Sequence, residues 1–266
     1  MILEGGNLMG KIERQLKELE SYLAQMPRIT LMEAGELLDV SESTVRRLFV
    51  RMEEQGQALR VHGGLQALPN QKADYNFSSV ETRCLAQKKR IARAAVDEIG
   101  TAHTIFLDSG STVYQFSLCL AEWIRTGRRD QVSVFTNSLK NLQVLAGIAK
   151  IQFIGGQYRE HRQDCCGFLA EEAIQSLNFD LCVLGADGCD VEQGISCTDM
   201  ETASLGSMVV NRSLRRIVLM DSTKFRKRAL VSYAGLEDIN MVITDTGLDA
   251  DIVGQARERG TEVRVV

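Results

Sequence analysis

The stretch from Ser41 to Gly56, SESTVRRLFVRMEEQG, has the pattern of an amphipathic helix with both ends specified. Ser41 is a favourable N-cap, and Gly56 is suited to the left-handed conformation that often follows a helix. Four apolar residues share one helical face: Val45, Leu48, Phe49 and Met52. The opposite face carries Ser43, Arg46, Arg47, Val50 and Arg51. The sequence therefore predicts a helix that buries one side and presents hydroxyl and cationic groups on the other.

A second short helix is predicted immediately before this one. Thr30 and Glu33 have the spacing of a capping box, and the helix that they open is expected to end near Asp39. Two short helices joined by a tight turn, the second presenting arginines, form the pattern of a helix-turn-helix. Because this pattern alone is a weak signal, the alternative is a solvated helix whose arginines pair with Glu53 and Glu54.

Two short strands around a glycine turn are predicted after the arginine-bearing helix. Residues 58–62 and 65–67 form the strands, and Gly63 and Gly64 form the turn. A hairpin at this place is typical of the wing of a winged helix-turn-helix, which favours the DNA-binding interpretation. The predicted DNA-contacting residues are Ser41, Ser43, Thr44, Arg46, Arg47, Val50, Arg51, Arg60, His62 and Gly63.

The composition limits the classes of protein to which the chain could belong. Its 266 residues, 44% hydrophobic and 25% charged, are sufficient for buried cores in two domains. A net charge of -4 excludes the overall basic excess of a nonspecific nucleic-acid binder, so any DNA contact must be local. The seven cysteines include no C-x-x-C pair, and none of the three histidines has zinc spacing. We expect a reduced, cytoplasmic protein without metal, cofactor or membrane segment.

Short apolar runs alternate with helical segments in the rest of the chain. The runs are 104–107, 132–135, 151–154, 181–184, 217–220, 241–243 and 263–266. Because strands that alternate with helices form right-handed crossovers, a mostly parallel sheet is expected. The predicted fold class is α/β: a winged helix-turn-helix over 10–68, a polar connector over 69–84 and an α/β domain over 85–266. A basic segment at 88–90 opens this domain and is interpreted as a solvated helix face, with a second nucleic-acid patch as the alternative.

Polar residues and glycines follow five of the predicted strands. They are Asp108, Ser109, Gly110, Ser111 and Thr112; Thr136, Asn137 and Ser138; Gly155 and Gly156; Gly185 and Asp187; and Lys224 with Asp221. Ligands bind at the carboxyl ends of parallel strands, so this set predicts a pocket for a polar small molecule. Residues 109–112 also precede a helix whose N-terminus is suited to a phosphate. Taken singly, the glycine pair 155–156 is also typical of a turn.

These motifs, in this order, resemble those of the DeoR family of bacterial transcriptional regulators over essentially the whole chain. The matching segments are 40–41, 44–47, 53–56, 60–64, 105–112, 135–138, 155–156, 185–188 and 221–225. The resemblance implies a sensor domain related in fold to ribose-phosphate isomerases and CoA transferases. It also implies binding of double-stranded operator DNA, an effector such as a phosphorylated sugar or polyol, and a homodimer or homotetramer. A repressor of carbohydrate utilisation, without enzymatic activity, is the function that it implies.

The sequence departs from the family pattern at three positions. Leu48 replaces an acidic residue, and Leu205 and Gly206 stand where the family often has Lys-Arg. The loss of those cations predicts a weaker phosphate site near residue 205. The alternative function is a sugar-phosphate isomerase with an appended DNA-binding module, in which Asp187 and Asp190 transfer protons.

Overall fold

A computed structural model of the chain describes residues 5–23, 26, 28–54, 57–61, 63–67, 75–127 and 132–266. The chain divides into two compact units, residues 1–73 and residues 74–266, called here the N-terminal unit and the C-terminal unit. Gly56 and His62, which the sequence predicts to be a helix terminator and a DNA contact, lie outside the described residues. Within the described residues, no helix combines the length and apolarity needed to cross a membrane.

The N-terminal unit is a winged helix-turn-helix. Its elements are α1 (Gly5–Leu23), β1 (Arg28–Thr30), α2 (Leu31–Leu38), α3 (Glu42–Glu54), β2 (Ala58–Val61) and β3 (Gly64–Ala67). The strands form an antiparallel sheet in the order β1-β3-β2, and β2 and β3 are the predicted wing. Gly63, in the turn between them, has a φ of +76°, a conformation that L side chains rarely adopt. The strand β1 was not predicted from the sequence.

Helix α3 buries the face that the sequence predicts, and helix α2 begins with the predicted capping box. Val45, Leu48, Phe49 and Met52 of α3 are all buried in one cluster with Leu16, Leu19 and Leu23 of α1. The replacement at Leu48 therefore adds an apolar side chain to the core of this unit. The capping box of α2 is present: the Glu33 amide donates to Thr30 Oγ1 at 3.2 Å, and the Thr30 amide donates to Glu33 Oε2 at 2.8 Å.

The C-terminal unit contains helices on both sides of a parallel sheet. Its helices are α4 (Phe77–Glu81), α5 (Leu85–Val96), α6 (Ser111–Arg125), α7 (Leu139–Leu145), α8 (Phe168–Gln175), α9 (Met200–Asn211) and α10 (Ala250–Glu258). The seven strands of the main sheet are β4 (Thr104–Leu107), β5 (Ser133–Thr136), β6 (Lys150–Phe153), β9 (Phe179–Gly185), β12 (Ser213–Leu219), β14 (Met241–Thr244) and β15 (Glu262–Val265). Short 3-10 turns occupy Asp97–Ile99, Ser222–Lys224 and Leu236–Asp238.

The main sheet confirms the predicted parallel α/β architecture. Its order is β15-β14-β12-β9-β4-β5-β6, and every neighbouring pair is parallel. Each predicted apolar run coincides with one of these strands to within a few residues. One core cluster covers each face of the sheet, which explains why the strands are continuously apolar.

Two small antiparallel sheets complete this unit and were not predicted. Strands β7 (Gln157–Arg159) and β8 (Asp164–Cys166) form a hairpin. Strands β10 (Gly188–Asp190), β11 (Gly194–Cys197) and β13 (Val231–Ala234) form the other sheet, in the order β10-β11-β13. Both sheets follow carboxyl ends of main-sheet strands, where they add walls to the site described next.

Candidate functional site

The exposed face of α3 carries the cationic side chains that the sequence predicts. Ser43, Arg46, Arg47 and Arg51 are exposed, whereas Val50 is half-buried. Arg46 pairs with Glu42 at 2.5 Å. The side chains of Arg47 and Arg51 make no hydrogen bond or ion pair with another described residue. Exposed ion pairs contribute little free energy, so Arg46 can exchange its partner for a DNA phosphate at small cost.

The start of α3 and the wing flank this cationic face. The Ser41 carbonyl accepts a hydrogen bond from the Val45 amide at 3.1 Å, and the Ser41 hydroxyl lies 3.1 Å from that of Thr44. In the wing, Arg60 pairs with Glu53 at 2.6 Å. Glu53 therefore pairs with an arginine of the wing. The pairing of the α3 arginines with Glu53 and Glu54, which was the alternative to DNA binding, is not observed among the described residues, and Arg47 and Arg51 stay available.

A cavity of about 190 Å³ lies at the carboxyl ends of β4, β9 and β12 in the C-terminal unit. Its walls include Asp108, Gly110, Ser111, Thr112, Gly185, Asp187 and Lys224 from the predicted ligand-binding set. Five cationic residues also line it, namely Arg83, Lys88, Arg162, Lys224 and Lys227, beside the three carboxylates Asp108, Asp187 and Asp221. The excess of cations and the bare N-terminus of α6 suit an anionic ligand with several hydroxyl groups.

The acidic residues of the cavity are held in fixed positions. Asp108 Oδ2 accepts a hydrogen bond from the Gly185 amide at 3.1 Å, which connects the ends of β4 and β9. Burial raises the pKa of Asp108, and the Gly185 amide opposes that rise. Asp187 Oδ2 accepts hydrogen bonds from the amide and hydroxyl of Thr198, and its Oδ1 lies 3.9 Å from Lys224 Nζ. The long distance to Lys224 leaves the ammonium able to meet a ligand.

Lys88 is a cavity residue that sequence analysis assigned to a solvated helix face. It is 4% exposed, and its Nζ donates to the Val80 carbonyl. Burial lowers the pKa of Lys88 to about 8, although Asp221 partly opposes this shift. Lys89 and Arg90, by contrast, are exposed as expected. A signal was present in the sequence, because Lys88 precedes the buried Ile91 by three residues and therefore lies on the apolar face of α5.

A buried ion cluster lies behind the cavity and consists of Arg159, Arg162, Asp164 and Asp199. Asp164, which is fully buried, accepts hydrogen bonds from Arg159 Nε at 2.9 Å and Nη2 at 2.8 Å. Asp199 lies 2.8 Å from Arg159 Nη1 and 3.1 Å from Arg162 Nη1. Ser109 joins the cluster by donating to Asp164 Oδ2 at 2.8 Å. Glu201, which is half-exposed, adds a third anion at 3.4 Å from Arg159 Nη1. Both buried guanidinium groups therefore have carboxylate partners, and the cluster fixes the strand ends.

Several residues of the predicted ligand set hold the fold together and are not in the cavity wall. Ser109 is one of these, because its hydroxyl is engaged by the ion cluster. Thr136 Oγ1 donates to the Leu107 carbonyl, and Ser138 Oγ caps α7 by accepting from the Asn141 amide. Asn137 Nδ2 donates to the Cys165 carbonyl at 2.9 Å. None of these four residues lines the cavity, so direct contact between them and a ligand stays a prediction without support from the cavity wall.

The glycine pair after β6 also lies away from the cavity wall. Gly155 and Gly156 are exposed and precede the β7–β8 hairpin. A Cβ atom at Gly156 would lie 2.4 Å from the Cys166 carbonyl oxygen, so the hairpin requires glycine there. This supports the alternative that the pair forms a turn.

Leu205 and Gly206, which depart from the family pattern, face the protein interior. Leu205 is 3% exposed in a core cluster, and a Cβ atom at Gly206 would lie 3.3 Å from the Tyr233 ring. Neither residue lines the cavity, which has its own cations. The expectation of a weaker phosphate site near residue 205 therefore has no geometric basis in this cavity.

Cysteine and metal chemistry are not supported in the described part of the chain. All seven cysteines are free. Burial raises the pKa of Cys166 to about 12, which disfavours the reactive thiolate. The residues described contain no group of three or more His, Cys, Asp or Glu arranged to hold a metal ion.

Known proteins resemble the chain in both units. Residues 15–71 match the DeoR-like helix-turn-helix domain, and residues 83–246 match the DeoR C terminal sensor domain. The transcriptional repressor AccR of Agrobacterium fabrum is 30% identical over 238 residues, which cover 88% of this chain and 90% of AccR.

Two further relatives are similar over most of their length. The lactose phosphotransferase system repressor of Staphylococcus epidermidis is 29% identical, with coverage of 89% of this chain and 93% of that protein. The L-fucose operon activator of Haemophilus influenzae is 29% identical, with coverage of 85% and 89%. Among solved structures, ribose 5-phosphate isomerase from Plasmodium falciparum covers 52% of this chain and 52% of its own, with 22% identity and a TM-score of 0.39.

Proposed function

The chain belongs to the DeoR family of transcriptional regulators, and from this premise we propose that a phosphorylated sugar or polyol in the cavity controls its binding to operator DNA. The relatives are regulators of transcription, so the chain is a regulator rather than an enzyme. The composition of the cavity wall is the observation that supports a phosphorylated sugar or polyol as the effector. It combines five cationic side chains with fixed carboxylates that can accept hydrogen bonds from hydroxyl groups.

We propose that the regulator acts as a repressor of a carbohydrate-utilisation operon. Two relatives named above are repressors, one of them of a lactose phosphotransferase system, and a third is an activator of an L-fucose operon. A homodimer or homotetramer is part of the proposal, because two-fold symmetric oligomers read symmetric operators. A cytoplasmic location is part of it too, since operator DNA lies there.

The isomerase alternative loses support from the positions of its two carboxylates. Asp187 lines the cavity, but Asp190 does not. Asp190 instead pairs with Arg228 at 2.9 Å and accepts hydrogen bonds from two amides of its own turn. Two groups that do not face one cavity cannot act as acid and base on the same substrate.

Thermal unfolding against a panel of sugars, polyols and their phosphates tests the effector class. A ligand present at a hundredfold its dissociation constant adds about 2.7 kcal/mol of stability, equivalent to a shift of several degrees. We expect at least one phosphorylated compound to raise the unfolding temperature while its unphosphorylated parent does not. Stabilisation by uncharged sugars alone would contradict the proposed anionic effector.

A further inference from the structure

Tyr75 connects the cavity to the segment that leads to the DNA-binding unit. It is the first described residue after Ala67 at the end of the wing, and seven residues, 68–74, join the two. Four residues of the predicted connector, Tyr75, Val80, Arg83 and Cys84, line the cavity. The chain therefore forms part of the cavity wall as soon as it enters the C-terminal unit.

The hydroxyl group of Tyr75 is buried without a hydrogen bond. Its oxygen is inaccessible to solvent and has no partner that satisfies hydrogen-bond geometry within the described residues. Burial raises the pKa of Tyr75, and the Arg162 guanidinium and the Ser111 amide at the N-terminus of α6 oppose that rise. A buried hydroxyl without a partner is destabilising, and a ligand oxygen at this place would satisfy it.

The ring of Tyr75 packs on a second incompletely bonded cavity residue. The Arg162 guanidinium carbon lies 3.9 Å from the ring centroid, which is the geometry of a cation–π contact. Arg162 is 5% exposed, and its Nε lies 3.6 Å from Asp164 Oδ2, too far for a hydrogen bond. The unused hydroxyl of Tyr75 therefore lies beside a buried guanidinium group that is itself incompletely hydrogen-bonded.

The residues after Tyr75 are attached firmly to the C-terminal unit. The Phe77 amide donates to the His161 carbonyl at 2.8 Å, and its ring meets Tyr114 edge to face with centroids 5.7 Å apart. Lys88 Nζ donates to the Val80 carbonyl in the same segment. Because Lys88 is itself a cavity residue, a ligand that attracts its ammonium group also acts on the connector.

We propose that Tyr75 contacts the anionic group of the effector and transmits occupancy of the cavity to the connector. This inference rests on the proposed function and adds the residue through which the effector acts. The phenol donates to an effector oxygen beside the N-terminus of α6, while its ring stays on Arg162. The bound state then holds residues 75–84 more tightly than the free state does, and that difference in free energy couples the two units.

The test uses the full chain with inorganic phosphate as the probe. Tyr75→Phe removes the hydroxyl and keeps the ring on Arg162, and Tyr75→Ala removes both. Tyr158→Ala is the matched control, because Tyr158 is exposed, bonds only to Gln163 in the same hairpin and does not line the cavity. Phosphate affinity is measured by thermal unfolding titration, and amide exchange is followed over α4 with and without phosphate.

We expect phosphate to bind Tyr75→Phe about tenfold more weakly than the wild type, since one charge-assisted hydrogen bond is lost. Phosphate should slow amide exchange in α4 of the wild type and of Tyr158→Ala, and should leave that of Tyr75→Ala unchanged. Equal phosphate affinity of Tyr75→Phe and wild type would overturn the inference, as would a wild type that does not respond to phosphate. Operator binding by the same wild-type preparation reports separately on the proposed function.

Discussion

At the scale of single residues, Arg47 is the side chain on α3 whose role in DNA binding is tested most simply. Its side chain is exposed and makes no hydrogen bond or ion pair with another described residue, whereas Arg46 is paired with Glu42. We expect Arg47→Ala to weaken operator binding by about 1–3 kcal/mol if the side chain reads a base edge. If it contacts a phosphate, the salt dependence of the affinity falls by about one unit of slope.

Fluorescence anisotropy with operator DNA at several salt concentrations measures this change. Arg90→Ala is the control, because Arg90 is exposed on α5 in the basic segment that was the alternative nucleic-acid patch. Its affinity should equal that of the wild type. If Arg90→Ala lost operator affinity and Arg47→Ala did not, the DNA-binding surface would lie on the C-terminal unit instead.

The lowered pKa of Lys88 leads us to predict that effector binding depends on pH. Its folded pKa of about 8 lies below the ordinary 10.5, so the free protein gains stability as pH rises from about 8 to 10.5, where only the unfolded state holds the proton. A bound anion favours the ammonium form. Affinity for a phosphorylated effector should therefore fall above about pH 8, by at most about tenfold per pH unit.

Several charged groups that surround Lys88 influence its pKa. Asp221 favours its ammonium form, whereas Lys224 and Arg83 disfavour it. Lys88→Met should abolish the decline above pH 8 and lower the affinity below it, while Lys89→Met, at an exposed neighbour, should keep both. Calorimetric titration between pH 6.5 and 9.5, a range set around the pKa of about 8, measures the effect. An unchanged pH profile for Lys88→Met would show that another group titrates.

At the scale of elements, the buried ion cluster attaches β7 and β8 to the end of β4 and the start of α9. Asp164→Asn removes the fully buried carboxylate that Arg159 and Arg162 share, and leaves the two guanidinium groups with only the partly exposed Asp199 and Glu201 as ion-pair partners. Breaking such a cluster costs about 3–5 kcal/mol, so the C-terminal unit should unfold at a clearly lower temperature. The fluorescence of Trp123, which lies in this unit and is the only tryptophan, follows that transition.

Glu172→Gln, an exposed carboxylate changed in the same way, is the matched substitution and should leave the transition in place. If both variants unfold at the wild-type temperature, the cluster contributes no net stability. A well-packed neutral replacement would then serve the fold equally well.

The main sheet and the helix-turn-helix were predictable because their signals are local. A run such as 181–184 is apolar at every position, and Thr30 and Glu33 form their capping box within one turn. The hairpin β7–β8 had no comparable signal. Its strands have three residues each, and the buried Asp164 is held not only by Arg159 of the same hairpin but also by Ser109, which lies 55 positions earlier in the chain. A partner so distant cannot be read from a pattern within a short window.

The site was predictable in part for the same reason. Residues 108–112 follow a clear strand and begin a helix, so their place at the sheet edge follows from topology. Tyr75 and Arg162 come from a connector and a hairpin turn, where no periodicity marks the buried side. Thr136 and Asn137 stand at a strand end as expected, but hydrogen bonds to Leu107 and Cys165 use their side chains for the fold.

At the scale of the whole molecule, the acidic net charge of -4 disfavours nonspecific contact with DNA over the whole surface, so we expect the cationic face of α3 to make the contact. We predict that the chain binds DNA as a two-fold symmetric oligomer, with half-sites about 34 Å, or a multiple of that distance, apart on one face. Light scattering gives the oligomeric state, and hydroxyl-radical footprinting gives the spacing. A monomer that protects a single half-site would contradict this prediction.

We propose above that a small anionic metabolite changes the affinity of this chain for its operator. The direct measurement takes an operator selected from random duplexes and titrates it with the full chain, with and without each phosphorylated sugar or polyol and its unphosphorylated parent. We expect at least one phosphorylated compound to change the operator dissociation constant, by about 5–150-fold, while its parent has no effect. The proposal would be contradicted if the operator affinity stayed the same in the presence of every compound that stabilises the C-terminal unit.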